Sequence, residues 1–409
     1  MRRLFRHELL RRSALFSLSI VASTVVGVFS LPVLIAAIGA TQWGHLVVMQ
    51  AVTQFASVVI AFGWGATGPS MVSALAASER KTMFTQSLQV RGVLFLVALP
   101  LAVSLCILLT GESLTNALLA FCTYGLGGLS AAWYFIGTNR PIALFSLDAL
   151  PVIVGQVVGL LAVTVMRDLT AYLACTAMFA LVGTTASAIY VMTRKQDGSA
   201  SFRGGTKWGP VLRSQSAGAL STVSASMWTS APTVLVQAFA PSAVPVFAMV
   251  DRLMKYGVLA LAPVLQAVQG WVPESGRESV AARAVTGLKV AAGVGVLGGV
   301  TLACLSTPVS AFLSVGQAVV PWSLAVIAGV AFAFECLAQV AGLSGLVALG
   351  GVRELAASSI ASALVGIPLI AALVLWLGLY GAVLGILVVA MSLAVYRVAY
   401  VVRYAARYG

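Results

Sequence analysis

Long apolar stretches recur along the whole chain, and they limit the folds open to it more than any motif does. A polar interval rich in Gly and Ser lies almost in the middle, at residues 194–210. Six apolar runs precede this interval and six follow it. About 20 mostly apolar residues are enough to cross the hydrocarbon core of a bilayer as a helix. The runs therefore predict two membrane-embedded halves joined by a linker.

The composition excludes a soluble domain. Hydrophobic residues make up 60% of the chain and charged residues 9%, against roughly 45–50% and about 25% in soluble domains. The apolar runs are continuous, whereas membrane-spanning strands alternate in polarity. Lipid offers no hydrogen-bond partners to backbone groups, so continuous runs span as helices. An all-α integral membrane protein is the predicted fold class.

About twelve transmembrane helices are predicted, six in each half. In the first half they cover residues 13–38, 43–65, 84–109, 114–137, 141–165 and 169–193. In the second half they cover residues 211–240, 244–270, 285–305, 319–349, 355–377 and 379–402.

Basic residues are distributed unequally between the two ends of these spans. The links at 39–42, 110–113, 241–243, 306–318 and Gly378 carry none, and Arg167 beside Asp168 is the exception on that side. The opposite side carries Arg2, Arg3, Arg6, Arg11, Arg12, Arg80, Lys81, Arg140, Arg194, Lys195, Arg203, Lys207, Arg277, Arg283, Arg353, Arg403 and Arg407. Basic residues accumulate on the cytoplasmic side of membrane proteins. We therefore expect a multi-pass membrane protein with both termini cytoplasmic.

The same asymmetry accounts for the net charge of +13. Basic residues beside a membrane surface attract anionic phospholipids. The charge thus predicts the bilayer and its anionic lipids as partners, and no nucleic acid.

The two halves resemble each other in their loops. Residues 10–14 before the first span have a counterpart in residues 212–217 before the seventh. Each half starts inside and holds an even number of spans, so the repeat is parallel. We expect two six-helix bundles, 1–193 and 211–409, around a central cavity and joined by the cytoplasmic linker 194–210. Such internal repeats are typical of transporters that work by alternating access.

Three short motifs carry a resemblance to a known family. They are IGATQWG at 38–44 followed by Phe62-Gly63, WYFIG at 133–137, and Ala248 with Arg252-Leu253 running on to Pro273, Glu274 and Ser275. In order and spacing they resemble the O-antigen and exopolysaccharide flippase branch of the MATE-like MOP exporter superfamily. The resemblance implies transfer of a polyprenyl-pyrophosphate-linked oligosaccharide from the cytoplasmic to the periplasmic leaflet by alternating access. It also implies surface polysaccharide assembly, with the assembly machinery as a partner.

Rival functions stay open, and the sequence argues against each. A cation-coupled multidrug antiporter of the same superfamily often has an acidic residue in its first span, whereas residues 13–38 contain none. A membrane glycan polymerase or ligase would be expected to carry catalytic residues on a large external loop, but the link 306–318 has no ionisable side chain. A purely structural scaffold would not need charges at mid-membrane depth.

No catalytic or metal-ligating pattern is legible. The five cysteines lie within apolar runs, and the two histidines, His7 and His45, are far apart in sequence. We therefore expect no enzymatic activity, no metal and no cofactor beyond coupling to H⁺ or Na⁺.

Acidic residues inside spans are the candidates for that coupling. Asp148 lies in span five and Glu335 in span ten, with Gln339 one turn further on. Charges within a bilayer are costly and usually face a cavity or a partner. Proton or cation coupling is one interpretation of both residues, and a hydrogen-bonded packing role is the other.

Polar residues in spans two and eight are the candidates for substrate binding. Arg252 and Lys255 lie about 12 and 17 Å along span eight, near the middle of a roughly 30 Å core. Asp251 and Lys255 have the i, i+4 spacing of a structural ion pair. Arg252, supported by Lys255, is predicted to bind the anionic part of the substrate; the alternative is a structural network completed by Glu335. Gln50 and Gln54 are predicted to bind sugar hydroxyls, unless they serve as hydrogen-bonding glue between helices.

Overall fold

The computed structural model describes residues 2–193, 208–272 and 280–408. Within these ranges every regular element is helical, which confirms the predicted all-α fold class. The linker residues 194–207, including Ser199, lie outside the described residues. So do the motif residues Pro273, Glu274 and Ser275, and the predicted inner-side Arg277.

Between residues 2 and 193, which the structure describes, there are eight α-helices and three irregular helical turns. The α-helices are α1 Arg2–Ala61, α2 Trp64–Ala74, α3 Ala77–Thr110, α4 Leu114–Ala120, α5 Ala132–Gly137, α6 Pro141–Ala143, α7 Leu150–Met166 and α8 Leu169–Thr193. A π-helical turn at Phe121–Gly125 and a 3₁₀ turn at Leu126–Leu129 join α4 towards α5, and a second π-helical turn at Leu144–Ala149 joins α6 to α7.

The second half continues with longer helices. They are α9 Trp208–Phe239, α10 Val244–Trp271, α11 Val280–Leu313, α12 Trp322–Val340 and α13 Val352–Tyr408. A 3₁₀ turn at Pro241–Ala243 precedes α10, and a π-helical turn at Ala341–Leu346 extends α12.

Eight helices of the described ranges are long and apolar enough to cross a membrane, so the chain is a multi-pass membrane protein. Two of them, Thr24–Ala74 and Arg353–Ala406, have 51 and 54 residues. At 1.5 Å per residue each is about 75–80 Å long, more than twice the hydrocarbon thickness. Their backbones break at Gly39 and Gly378, where the sequence predicts outer links. The total of twelve spans stays a prediction.

The helices α9 and α10 are not among those eight, although they have 32 and 28 residues. Asp251, Arg252 and Lys255 lie close together in α10, and α9 is rich in Ser and Thr. These are the two most polar of the long helices in the second half. In a membrane transporter, such helices are suited to line a water-filled path rather than to face lipid.

One predicted link is shorter than expected. Residues 306–318 are predicted to be an outer loop, but α11 continues through Pro308 to Leu313. The Oγ of Ser310 accepts a hydrogen bond from the Val320 backbone N–H at 2.9 Å, and the Oγ of Ser314 accepts one from Ala318 N–H at 3.0 Å. These side chains satisfy backbone groups beyond the last helical turn, so the helix extends further than hydropathy indicates.

The helix α13 is a hairpin whose arms, residues 352–377 and 379–408, are antiparallel. Residues at nearly equal distances from Gly378 along the chain face one another: Ser358 and Arg397 are hydrogen bonded, and Gly366 faces Val389 closely. Gly378 has φ 57° and ψ −127°. This left-handed backbone is costly for residues with a Cβ, so glycine permits the reversal.

The chain divides into two compact units, Met1–Ser226 and Met227–Gly409. In the first unit, a core cluster of Trp64, Phe84, Trp133 and other apolar side chains joins α2, α3 and α5. In the second unit, a cluster that includes Leu265, Leu288 and Val340 joins α10, α11 and α12. The division after Ser226 falls within α9. The predicted domains, 1–193 and 211–409, stay predictions.

The WYFIG motif is part of the first core. A Cβ on Gly68 would lie 2.6 Å from the Trp133 ring, and a Cβ on Gly137 would collide with Val72 and with the Pro69 carbonyl. The helices α2 and α5 therefore pack with their backbones almost in contact. Trp133, which is 3% exposed, fills the space next to Gly68. This packing fixes the end of the fourth predicted span against the helix that follows the second.

Candidate functional site

The charged residues of α10 form one cluster in the second unit. The Nζ of Lys255 lies 2.6 Å from the Oδ2 of Asp251, the pairing expected from their i, i+4 spacing. The Lys255 side chain is 52% exposed, whereas that of Asp251 is 20% exposed. Arg252 follows Asp251 in the helix and is partly buried. The local charge of the three side chains is therefore net positive, with the ammonium on the open face.

The opposite face of α10 is packed. On that face Leu253 is buried, and Gly257, one turn beyond it, contacts the Phe332 ring of α12 closely. Phe247 and Ala248, one turn before Asp251 and Arg252, are buried as well. The motif Ala248 with Arg252-Leu253 thus combines packing residues with one charged residue. Because α10 is anchored on one face, the direction in which Asp251 and Lys255 project is fixed.

Asp148 lies in the π-helical turn Leu144–Ala149 between α6 and α7. Its Oδ1 accepts a hydrogen bond from the Ser130 Oγ at 2.5 Å. Ser130 follows the 3₁₀ turn that interrupts the fourth predicted span, and its Oγ also accepts a hydrogen bond from the Ala132 N–H at 2.9 Å. Local π-helical turns are frequent at functional sites. Asp148 is thus held between two irregular segments rather than on a regular helix.

Arg91 completes this cluster and is absent from the sequence-based candidates. Its side chain is 1% exposed within α3. The guanidinium donates to the carbonyl oxygens of Gly128 and Ser130 at 3.1 and 2.9 Å, and to the Ser87 Oγ at 3.1 Å. It also lies 5.8 Å from the centre of the Trp133 ring. Ser130 therefore links Arg91, through its carbonyl, to Asp148, through its hydroxyl.

Arg91 can be found from the sequence, because it is a charged residue inside predicted span three. The acceptors cannot be found in this way, because they exist only where the 3₁₀ turn Leu126–Leu129 frees carbonyl groups. In an α-helix those carbonyls would bond to N–H groups four residues later.

Glu335 and Arg397 form the corresponding polar cluster of the second unit. The Oε1 of Glu335 accepts a hydrogen bond from the Gln339 amide at 3.1 Å. Arg397, which is 6% exposed, donates to the Ala338 carbonyl at 3.0 Å and to the hydroxyls of Ser358 and Ser359 at 3.2 and 2.8 Å. Glu335 also interacts electrostatically with the Arg397 guanidinium.

Each unit thus stabilises an irregular part of a span with a buried arginine from another helix. Arg91 donates to carbonyls beside the 3₁₀ turn of the first unit. Arg397 donates to a carbonyl just before the π-helical turn Ala341–Leu346, and its guanidinium passes so close to Gly342 that a Cβ there would lie 2.7 Å away. Buried cations persist where they are paired or hydrogen bonded, and both arginines meet that condition.

The glutamines predicted to bind sugar lie on α1 after the break at Gly39. Gln50 is partly buried and Gln54, one turn on, is exposed. Gln50, Gln54 and Asp148 belong to the first unit, and Asp251, Arg252, Lys255 and Glu335 to the second. Within the units, the structure brings Asp148 together with Arg91 and Glu335 together with Arg397. The roles of these residues stay predictions.

Metal ligands are not clustered in the part of the chain that the structure describes. No group of three or more His, Cys, Asp or Glu side chains in those ranges is arranged to hold a metal ion. His45 pairs instead with a carboxylate, its Nδ1 lying 2.9 Å from the Oε1 of Glu112.

Sequence comparisons find no matching protein-family profile and no matching curated protein. Solved structures do match. The lipid II flippase MurJ in its inward closed conformation has a TM-score of 0.72 at 15% identity, with 95% of this chain and 87% of that chain covered. An inward-facing multidrug resistance MATE family transporter of the MOP superfamily has a TM-score of 0.62 at 15% identity, with 96% and 94% covered.

A third match is a MOP superfamily transporter from Pyrococcus furiosus described by the reverse polarity of its binding pocket. Its TM-score is 0.55 at 12% identity, with 97% of this chain and 95% of that chain covered. At such identities the likeness concerns the fold alone. The chain therefore has the fold of MOP superfamily transporters over nearly its whole length.

Proposed function

We propose that this protein with a MOP transporter fold is a flippase. Its substrate is a polyprenyl-pyrophosphate-linked oligosaccharide, moved from the cytoplasmic to the periplasmic leaflet for surface polysaccharide assembly. The motifs at 38–44 and 133–137 favour this branch of the superfamily. The likeness to the lipid II flippase MurJ supports it, because that protein is named for moving a lipid-linked molecule.

The cationic cluster of α10 is the observation that carries this proposal. Lys255 is 52% exposed although it lies about 17 Å along a helix about 42 Å long. An exposed ammonium at that depth is costly in lipid, so it faces an aqueous cavity or an anionic group. Asp251 balances only one of the two positive charges. A pyrophosphate crossing the membrane is attracted by the net positive charge of these three side chains, with Arg252 as its main contact and Lys255 in support.

Movement follows from the repeat architecture. In transporters built from repeats, the two halves rock around a fixed binding site near the midplane. In the proposed cycle, the sugar binds while the cavity is open to the cytoplasm, with Gln50 and Gln54 contacting its hydroxyls. Asp148 and Glu335 are the proposed sites of coupling to H⁺ or Na⁺, because each is an acidic group held in a polar cluster within its unit.

Localisation and partners belong to the same proposal. The distribution of basic residues supports a bacterial inner membrane with both termini cytoplasmic. Anionic phospholipids neutralise the basic face, and the polysaccharide assembly machinery receives the product. No nucleic acid and no enzymatic step are part of the proposal.

The test combines deletion in the native host with complementation. Deletion is expected to reduce surface polysaccharide and to accumulate lipid-linked intermediates. The wild-type chain restores export, whereas Arg252→Ala at equal membrane abundance does not, because it removes the proposed anion contact. Lys289→Ala is the matched control, since Lys289 is an exposed cation of α11.

Arg252→Lys separates charge from geometry. Partial export is expected, because an ammonium keeps the charge but cannot bind a phosphate with two parallel hydrogen bonds. Native export rates with both Arg252 variants would exclude this residue as a substrate contact. A deletion strain with normal polysaccharide and a raised sensitivity to cationic drugs would instead support the multidrug antiporter that the MATE neighbour represents.

A further inference from the structure

A groove follows the α13 hairpin in the second unit. It has a volume of about 390 Å³ and lies between the two arms of the helix. Its lining includes Ser358, Ser362 and Leu369 of the first arm, and Val388, Ser392 and Tyr396 of the second. At Gly366 the Val389 side chain and the Trp228 ring of α9 pack closely against the backbone. No role described so far uses this groove.

The groove changes in polarity along its length. Near the Gly378 end its walls are apolar, with Val365, Leu369, Val388 and Val389. Towards the ends of α13 the walls carry hydroxyl groups, from Ser358, Ser362, Ser392 and Tyr396. The arms are antiparallel, so hydroxyls of both arms come level with one another. The result is an apolar zone followed by a hydroxyl zone.

Two cationic residues lie beyond the hydroxyl zone of the groove. Arg353 lies one helical turn before the groove residue Ala357, and Arg403 lies two turns after Tyr396. Residues at i, i+4 and i+7 share a helix face, so both positions are on the groove side of their arms. Both side chains are exposed. The groove therefore ends between two available guanidinium groups.

Other charges near this end are already engaged. Arg397 lies behind the groove wall and donates to Ser358 Oγ at 3.2 Å, and Glu335 offsets part of its charge. The carboxylate of Glu354 acts electrostatically on the Tyr400 hydroxyl. The exposed pair Arg353 and Arg403 thus presents positive charge to a ligand, with Arg397 adding to the potential from below.

The dimensions match one membrane leaflet. From Leu369 to Arg353 the first arm rises about 24 Å, and one leaflet with its headgroup region is roughly 20–22 Å thick. The order apolar, hydroxyl, cationic suits an anionic lipid, because the chain contacts the apolar walls while the phosphate oxygens accept hydrogen bonds from hydroxyls and face the cations. The cationic end is the end that the distribution of basic residues predicts to be cytoplasmic.

We propose that the α13 groove binds the polyprenyl chain of the substrate, with its pyrophosphate between Arg353 and Arg403. A single channel between two helices suits a lipid with one chain better than a phospholipid with two. The identity of this lipid rests on the proposed function. The groove is then a loading site in the cytoplasmic leaflet, separate from the cationic cluster of α10.

Site-specific photo-cross-linking tests the groove. The photoreactive residue p-benzoylphenylalanine replaces Val365 in the full-length protein, in vesicles that contain undecaprenyl pyrophosphate and phosphatidylglycerol. Its matched control is the same replacement of the adjacent Leu364, since the two side chains are 67% and 71% exposed but only Val365 lines the groove. We expect the isoprenoid adduct at Val365 and background at Leu364. Equal adducts at both positions would show general lipid exposure and overturn the proposal.

Charge variants test the cationic end. The double variant Arg353→Gln/Arg403→Gln is expected to lower the adduct roughly 30-fold, from about fivefold for each arginine at an anionic lipid surface. Arg353→Lys/Arg403→Lys keeps the charge and is expected to keep most of the adduct. The fraction of phosphatidylglycerol in the vesicles is then raised. If this removes the isoprenoid adduct, a phospholipid occupies the groove and the proposal is refuted.

Failure of the groove is distinguishable from failure of the proposed function. A deletion strain that accumulates lipid-linked oligosaccharide, together with no adduct at Val365, would leave the flippase and remove the groove. A specific adduct without accumulation would support the groove and contradict the flippase.

Discussion

Replacing Arg91 with methionine tests whether the buried guanidinium holds the irregular fourth span in place. Methionine keeps the length and apolar contacts of the side chain but donates no hydrogen bond. The bonds lost are those to the carbonyls of Ser87, Gly128 and Ser130 and to the Ser87 hydroxyl. The substitution also removes the bond from α3 to the carbonyl of Ser130, the residue whose hydroxyl holds Asp148.

The magnitude follows from the number of bonds. Polar side-chain contacts within membranes are worth about 0.6 kcal/mol on average and about 1.7 at most. Four such bonds give a loss of stability of roughly 2–7 kcal/mol for Arg91→Met. Arg91→Met also removes the free-energy cost of burying a charge. The loss of stability is therefore expected in the lower part of that range. The stability of Arg91→Lys is expected to lie between those of the wild type and Arg91→Met, because one ammonium cannot reproduce the planar guanidinium that reaches two carbonyls.

The assay is reversible unfolding of the purified protein in mixed detergent micelles, with transport measured on the same variants. Arg213→Met is the control, because Arg213 is an exposed arginine of the same unit, and it is expected to change the free energy of unfolding by less than about 0.5 kcal/mol. If Arg91→Met unfolds at the same detergent fraction as Arg213→Met, the guanidinium does not stabilise the fourth span and the reasoning is refuted.

Three further predictions concern topology, coupling and packing. In a background without native cysteines, a cysteine at Ser199, which lies outside the described residues, is expected to be labelled from the cytoplasm and one at Ala243 from the periplasm; the reverse labelling would overturn the orientation. Asp148→Asn or Glu335→Gln is expected to abolish the dependence of transport on a pH gradient if that residue carries the coupling proton, and unchanged dependence in both variants would remove both from that role. Gly137→Ala is expected to lower stability by about 1–3 kcal/mol because its Cβ would collide with α2, and a melting temperature equal to that of the wild type would contradict the close packing.

The positions of the helices follow closely from the sequence. Spans predicted at 114–137 and 169–193 coincide with the helical segments Leu114–Gly137 and Leu169–Thr193. The breaks at Gly39 and Gly378 lie at predicted links. Hydropathy predicts these positions because each crossing of a bilayer needs about 20 apolar residues, and every backbone group within it must be hydrogen bonded inside the protein. Both demands are local, so a single sequence reveals them.

The sequence also indicates the local ion pair of Asp251 with Lys255, because a helix fixes the separation of residues four positions apart. It does not indicate the network of Arg91, Ser130 and Asp148. These residues come from three different segments, and their contacts depend on a 3₁₀ turn and a π-helical turn that release backbone groups. Hydropathy does not distinguish such turns from regular helix.

What the sequence determined by itself was therefore the environment of each segment, its helical form and the predicted side of each loop. The tertiary structure decided which buried charges meet and where the walls of a groove come together. Arg397 reaches Ser358 because the α13 hairpin folds back at Gly378. The physical reason is one of range: burial in lipid is decided residue by residue along a helix, whereas a hydrogen bond between helices requires two distant residues to arrive within about 3 Å of each other.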